Sequence, residues 1–293
     1  MLKIIFIISI FKIVSASASS CGIMSQSSSL IVNGEFSWQN EFPWMTIISR
    51  KDNGTWSHHG SGSLISAKHI IAHALAVSYV DLSSQLLPIS PKRVKIYLGS
   101  VKYGDMREQG SLHMTVSNIT IHPNATKVSN SLSVNKFAII KLSNAVNFTE
   151  FIRPVCLWTF SHNMEEIIGR DAYIVGYGVN FKGRETLTRK YARMTVTNSS
   201  ACEQIYSNEL KFENSTSSRF FCAIGKNNEG PCKKDNQLFF KVGNSWHLRG
   251  ILSTVVYLEN GSCHVKKPVL FEDIVGSVKW IESVVKDEEN VDV

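Results

Sequence analysis

The sequence predicts an all-β protein, and three observations predict it. About a dozen short apolar or alternating runs recur along the chain, punctuated by Gly, Asn, Ser and Pro, as strands and their turns are. No helical period of apolar residues is sustained before the C-terminal end. With 293 residues, 43% of them hydrophobic, the chain can bury a substantial core as one large β unit or two small domains. Many short strands of this kind build barrels or sandwiches.

Taken in order, the chain opens on Met1-Leu2-Lys3, an apolar run over 4–11 interrupted by Lys12, and Ala16-Ser17-Ala18. A basic start, a short apolar stretch and small residues form a secretory signal, so residues 1–18 are set apart from the fold. Residues 19–30 are a serine-rich tether carrying Cys21, too short and polar to fold alone. Strands are expected at 46–49, 61–65, 69–72, 94–98, 114–121 and 137–142 in the first half. The second half should supply them at 172–175, 194–197, 220–224, 238–242, 248–255 and 269–271. Val275, Val278, Ile281, Val284 and Val285 then repeat at helical spacing, and an acidic tail occupies 287–293. No run after the signal approaches the roughly 18 apolar residues of a membrane helix.

Six cysteines in a chain with a secretory signal, Cys21, Cys156, Cys202, Cys222, Cys232 and Cys263, suggest three disulfides, with 15 pairings open to sequence alone. Seven Asn-x-Ser/Thr sequons, at Asn53, Asn118, Asn124, Asn147, Asn198, Asn214 and Asn260, fit an extracellular glycoprotein. The net charge of +7 is spread over Lys92-Arg93, Arg189-Lys190, Lys233-Lys234 and Lys266-Lys267. Such a distribution reads as a solvated surface, or as a patch for polyanionic glycans such as heparin. Nucleic acid is excluded by the compartment, and no cofactor or metal motif is present.

The segment Cys232-Lys233-Lys234-Asp235-Asn236-Gln237 resembles the Cys-x-Gly-Asp-Ser-Gly-Gly-Pro signature of the trypsin/chymotrypsin family of serine proteases. Ile31-Val32-Asn33-Gly34 resembles its mature N-terminus, Glu41-Phe42-Pro43-Trp44 its first strand, and Gly176-Tyr177-Gly178 its Gly-Trp-Gly. The likeness covers residues 31 to 293, or 293 − 30 = 263 residues. It implies an all-β fold of two six-stranded antiparallel Greek-key barrels, joined near residues 146–158, with a C-terminal helix on the second. Residues 31–286 form the protease-like domain. It also implies the pairs Cys21–Cys156, Cys202–Cys222 and Cys232–Cys263, the first being the bridge that retains a propeptide after cleavage.

At the catalytic positions the resemblance fails. Counting from Gly60-Ser61-Gly62-Ser63-Leu64 places the family's histidine at Leu75, two residues beyond His73. The same register puts Gly60 and Ala76 where the family has a cysteine pair. Lys136, in Lys136-Phe137-Ala138-Ile139-Ile140-Lys141-Leu142, stands where the family has its aspartate, Asn236 where it has the serine, and Lys234 where it has the oxyanion-hole glycine. A triad needs a nucleophilic oxygen, a base in reach and an anion to orient that base. An alkyl group, an ammonium and an amide supply none of these. In a protease where it was measured, loss of the triad costs about 10⁶-fold in turnover. Gly230 falls at the base of the specificity pocket and Ser253-Thr254-Val255 on the strand that meets substrate backbone, so a trypsin-type cleft is not expected.

The resemblance therefore implies a secreted, glycosylated, catalytically inactive serine protease homologue acting on extracellular proteins: proteases, zymogens or their inhibitors in a cascade. Two rivals stand beside it: an endopeptidase with a non-standard site built on His73, and a glycan-binding protein. If the chain is cut at Leu30–Ile31, the new amine of Ile31 is expected to pair with Asp235 and reshape the binding surface. An uncut chain with Asp235 bonded locally is the other outcome.

Overall fold

The structure is a computed structural model. It describes residues 21–24, 39–105, 107–127, 133–134, 136–179, 185–198, 200, 205–206, 219–227, 229–232, 236–259 and 263–290. Leu30, Ile31, Cys202, Asn214, Lys234, Asp235 and Asn260 lie outside the described residues.

The first half runs β1 (Met45–Asp52), β2 (Thr55–Leu64), β3 (His69–His73), β4 (Ser78–Val80), β5 (Leu86–Pro88), β6 (Val94–Leu98), β7 (Leu112–Ile121), β8 (Thr126–Lys127), β9 (Ser133–Val134) and β10 (Phe137–Leu142). Six of these close a barrel in the order β1-β2-β3-β10-β7-β6, and β4/β5 and β8/β9 form separate two-stranded ribbons. Strands β3 and β10 are buried along their whole length. Their continuous Ile-rich runs therefore face apolar neighbours on both sides. Asn53 and Gly54, with φ of 49° and 84°, turn β1 into β2. Asn-Gly tolerates positive φ at both central residues and suits this tight hairpin.

The second half runs β11 (Cys156–Leu157), β12 (Asp171–Val179), β13 (Glu185–Thr197), β14 (Phe220–Gly225), β15 (Gln237–Val242), β16 (Ser245–Thr254) and β17 (Val269–Asp273). Their order is β11-β16-β15-β12-β13-β14-β17, and pairing of β16 with β17 closes six of them into a second antiparallel barrel. β11 joins from outside, parallel to β16. Each expected strand falls on one of the twelve barrel strands, while 41–44 precede β1 instead of belonging to it.

Between the barrels, Phe42, Trp44, Phe239 and Trp246 form one aromatic cluster, with ring centroids 5.4 to 6.4 Å apart. It belongs to a core continuous with Ile71, Ile139 and Leu248, so the barrels share buried apolar surface.

The C-terminal helix, α1 (Val278–Asn290), does not sit on the second barrel alone. Trp280 lies 4.7 Å from the ring of His122 beyond β7, and Ile281 joins the core that the two barrels share. Val275, in the 3₁₀ turn before it, enters the separate cluster inside the second barrel. The helix also runs through Asn290, four residues into the acidic segment expected as a tail.

Arg189, counted on the surface, is fully buried. Its Nη2 donates to the carbonyl of Gln39 at 3.2 Å, and its backbone N–H to that of Val101 at 2.7 Å, tying β13 to the first barrel. Beside it, burial pushes the Tyr177 hydroxyl pKa well up, and the protonated group donates to the Ser100 carbonyl at 2.9 Å.

Cys21 and Cys156 form a disulfide with Cα atoms 5.0 Å apart, and Cys232 and Cys263 one at 5.5 Å. Cys222 is disulfide-bonded. Asn53, Asn118, Asn124, Asn147 and Asn198 are all exposed.

Candidate functional site at the junction of the barrels

Leu75 sits at the centre of a 3₁₀ turn, Ala74–Ala76, that follows β3. His73 ends the strand, and its Nδ1 accepts the Leu75 N–H at 3.2 Å, which caps the turn. With 3% exposure, His73 is buried in the barrel wall. The Leu75 side chain is 39% exposed.

The turn is fastened to the next position by its backbone, because the Ala74 N–H donates to the carbonyl of Lys136 at 2.6 Å. Lys136 directly precedes β10, which pairs Phe137 with His73. Its side chain is 2% exposed, and Nζ donates to Ser253 Oγ at 2.9 Å. Its backbone N–H donates to Glu272 Oε2, on β17, at 3.1 Å.

One residue before Ser253, the Leu252 N–H donates to the carbonyl of Asn236 at 2.9 Å. A chain of bonds thus brings Leu75, Lys136, Ser253 and Asn236 to one place at the barrel junction. Asn236 is 6% exposed, and its Oδ1 has no hydrogen-bond partner among the described residues. Its amide lies over Gly176 of β12, where a Cβ would come within 2.0 Å of Oδ1. Gly176 leaves the space that the amide fills.

Gln237, next in the chain, donates from Nε2 to the Ile71 carbonyl at 3.2 Å and accepts from Ser63 Oγ. Sequence reasoning missed both Gln237 and Glu272. A polar residue opening the apolar run 238–242, and an acid inside Val269-Leu270-Phe271-Glu272, were the available signals.

A lysine ammonium 2.9 Å from a serine hydroxyl suggests a base and a nucleophile. Ser253, however, is 0% exposed, so no substrate carbonyl can reach its oxygen. Thr254 and Val255 are buried as well, at 4% and 5%. Thr254 ends β16 and is paired with Leu270 of β17. At Gly230 the nearest neighbour is Val265, whose Cα, Cβ and Cγ1 each lie 3.6 Å from where a Cβ would stand. Among the described residues, no group of three or more His, Cys, Asp or Glu could hold a metal ion. Among the same residues, no helix is long and apolar enough to cross a membrane.

Two closed six-stranded antiparallel barrels with the candidate site at their junction define the chymotrypsin-like class. The trypsin family model matches residues 31–236, and the chain belongs to that family. It is similar to serine protease gd of Drosophila melanogaster, 23% identical over 278 residues that cover 84% of this chain and 51% of that protein. Phenoloxidase-activating factor 3 of Holotrichia diomphalia is 25% identical over 276 residues, 91% of this chain and 75% of that protein. Limulus clotting factor C of Carcinoscorpius rotundicauda is 29% identical over 239 residues, 78% of this chain and 23% of that protein. The chain thus spans about half the length of the first relative and about a quarter of the third.

Proposed function

We propose that this chain is a catalytically inactive member of the trypsin family, secreted and glycosylated, which binds other extracellular proteins and regulates or assists a protease cascade. Leu75, Lys136 and Asn236 occupy the three positions of the missing triad, with Lys234 in place of the oxyanion-hole glycine. The domain itself spans 31–286, after a signal over 1–18 and a tether over 19–30.

The observation that carries this proposal is Lys136, buried at 2% exposure with its ammonium on Ser253 Oγ. A cation at that point repels the imidazolium that a serine protease must form, and Leu75 offers no lone pair to form one. Five exposed sequon asparagines and the disulfides support the extracellular assignment. The relatives named as a phenoloxidase-activating factor and a clotting factor support a place in a cascade.

The test is labelling of the purified full-length protein with a fluorophosphonate probe, alongside turnover of a mixed peptide library. No labelling and no cleavage are expected. Labelling that is lost in His73→Ala overturns the proposal, because a working base would then sit two residues from the position assigned to it.

A further inference from the structure

Two long polar side chains cross the barrel junction in opposite directions. Lys136 reaches from the first barrel to Ser253 of the second, and Gln237 reaches from the second barrel to Ser63 and Ile71 of the first. Lys136, Ser253, Glu272, Gln237 and Ser63 are all at most 2% exposed. We infer that the floor of the cleft has become a clamp between the barrels, with Glu272 as the buried counter-charge to Lys136 and Gln237 as the reciprocal tie.

A buried ammonium is costly unless an anion and hydrogen bonds accompany it. Glu272 is the anion we assign to it: its carboxylate accepts the backbone N–H of Lys136, which puts the negative charge within a side chain's length of the ammonium that Ser253 holds. Just before β10, where the family has an acid, this chain has a base, and an acid on β17 bonds the backbone of that residue. Gln237 follows the same logic. It takes the place of the first glycine after the family's serine, and its amide has a donor and an acceptor satisfied across the junction. A cleft that had drifted without constraint would not match its buried donors and acceptors in both directions. Residues that once served chemistry now fix how the barrels sit, which gives a binding protein a rigid surface.

The inference takes its history from the proposed loss of catalysis, but its test measures stability and not turnover, so each can fail alone. Thermal unfolding of the full chain is compared for Lys136→Met, Glu272→Gln and the double variant. Each single change should lower Tm by roughly 6–15 °C, because it strands one buried charge. The double variant should regain at least half of the summed loss. Strict additivity, or singles that melt like the parent, overturns the clamp. Should the single variants not fold, Ser253→Ala and Gln237→Ala are read by native-state hydrogen exchange. The amides of Ala74 and Leu252, which bond to Lys136 and Asn236, should exchange at least about tenfold faster. Unchanged protection of both also overturns it.

Discussion

Arg249 and Asp273 form an ion pair inside the second barrel, Nη2 to Oδ2 3.1 Å, with side chains 0% and 5% exposed. Arg249 also lies 4.7 Å over the ring of Trp158, and Asp273 Oδ1 accepts the Val275 N–H at 3.0 Å at the start of the C-terminal turn. Burial raises the pKa of the Asp273 carboxyl, against the opposing pull of Arg249 and that N–H. Arg249→Met should therefore destabilise the protein by roughly 3–5 kcal/mol at pH 7, because it leaves the buried carboxylate without the cation paired to it. Adding Asp273→Asn should recover most of the loss. Denaturant unfolding of both variants checks this, and a double variant no better than the single one contradicts it.

Gly176 and Asn236 share one volume, since a Cβ on Gly176 would lie 2.0 Å from Asn236 Oδ1. Gly176→Ala should cost about 1–3 kcal/mol through overpacking. Asn236→Ala alone removes an oxygen that has no described partner, and should change stability little. In the Asn236→Ala background the Gly176→Ala cost should fall to about half or less. Equal costs in both backgrounds would place the amide elsewhere.

Much of this architecture was legible because buried strands carry their own signal. The 69–72 and 137–142 runs are apolar apart from His69 and Lys141, and both became fully buried strands of the first barrel. The hairpin arms were not legible: β2 starts at Thr55 and β13 at Glu185, in polar stretches paired by backbone bonds that no side-chain pattern records. The small ribbons β4/β5 and β8/β9 were missed because strands of two or three residues are too short to show an alternation. At the site, Leu75 and Lys136 could be placed by counting from a motif. Glu272 could not, because its relation to Lys136 joins residues 136 apart and exists only once the barrels meet. The helix was legible as a helix, but its docking on His122 depended on a ring from β7's far end.

Gly22 is held between Pro154 and Trp246: its N–H donates to the Pro154 carbonyl at 2.7 Å, and its carbonyl accepts the Trp246 N–H at 2.9 Å. Its φ is +70°, and a Cβ would lie 2.4 Å from the Trp246 carbonyl oxygen, a backbone atom that cannot step aside. Gly22→Ala should thus undock residues 21–24 and destabilise the fold by about 1–3 kcal/mol, even with the Cys21–Cys156 disulfide intact. Differential scanning calorimetry with and without the bridge separates the two contributions. An unshifted Tm for Gly22→Ala would mean that the disulfide alone holds this segment.

His122 and His247 should make the protein less stable as the medium becomes acidic. Burial is the main cause that lowers both pKa values, with Arg219 adding to the effect at His122 and the Leu157 carbonyl opposing it at His247. The His122 ring lies tilted against Trp280 at 4.7 Å, and His247 lies between Phe160 at 4.9 Å and the hydroxyl of Ser245, 3.0 Å from Nε2. In the unfolded chain each imidazole takes up a proton near pH 6.5, whereas the folded environment resists it. The unfolded state therefore binds more protons on acidification, and stability is lost as pH falls through about 6.5. The loss levels off only below the depressed folded pKa, where both states are charged. The urea midpoint should accordingly drop between pH 7 and pH 5, and the drop should shrink in a His122→Gln/His247→Gln variant. A double variant whose midpoint falls as steeply as the parent's would assign the acid sensitivity to other groups.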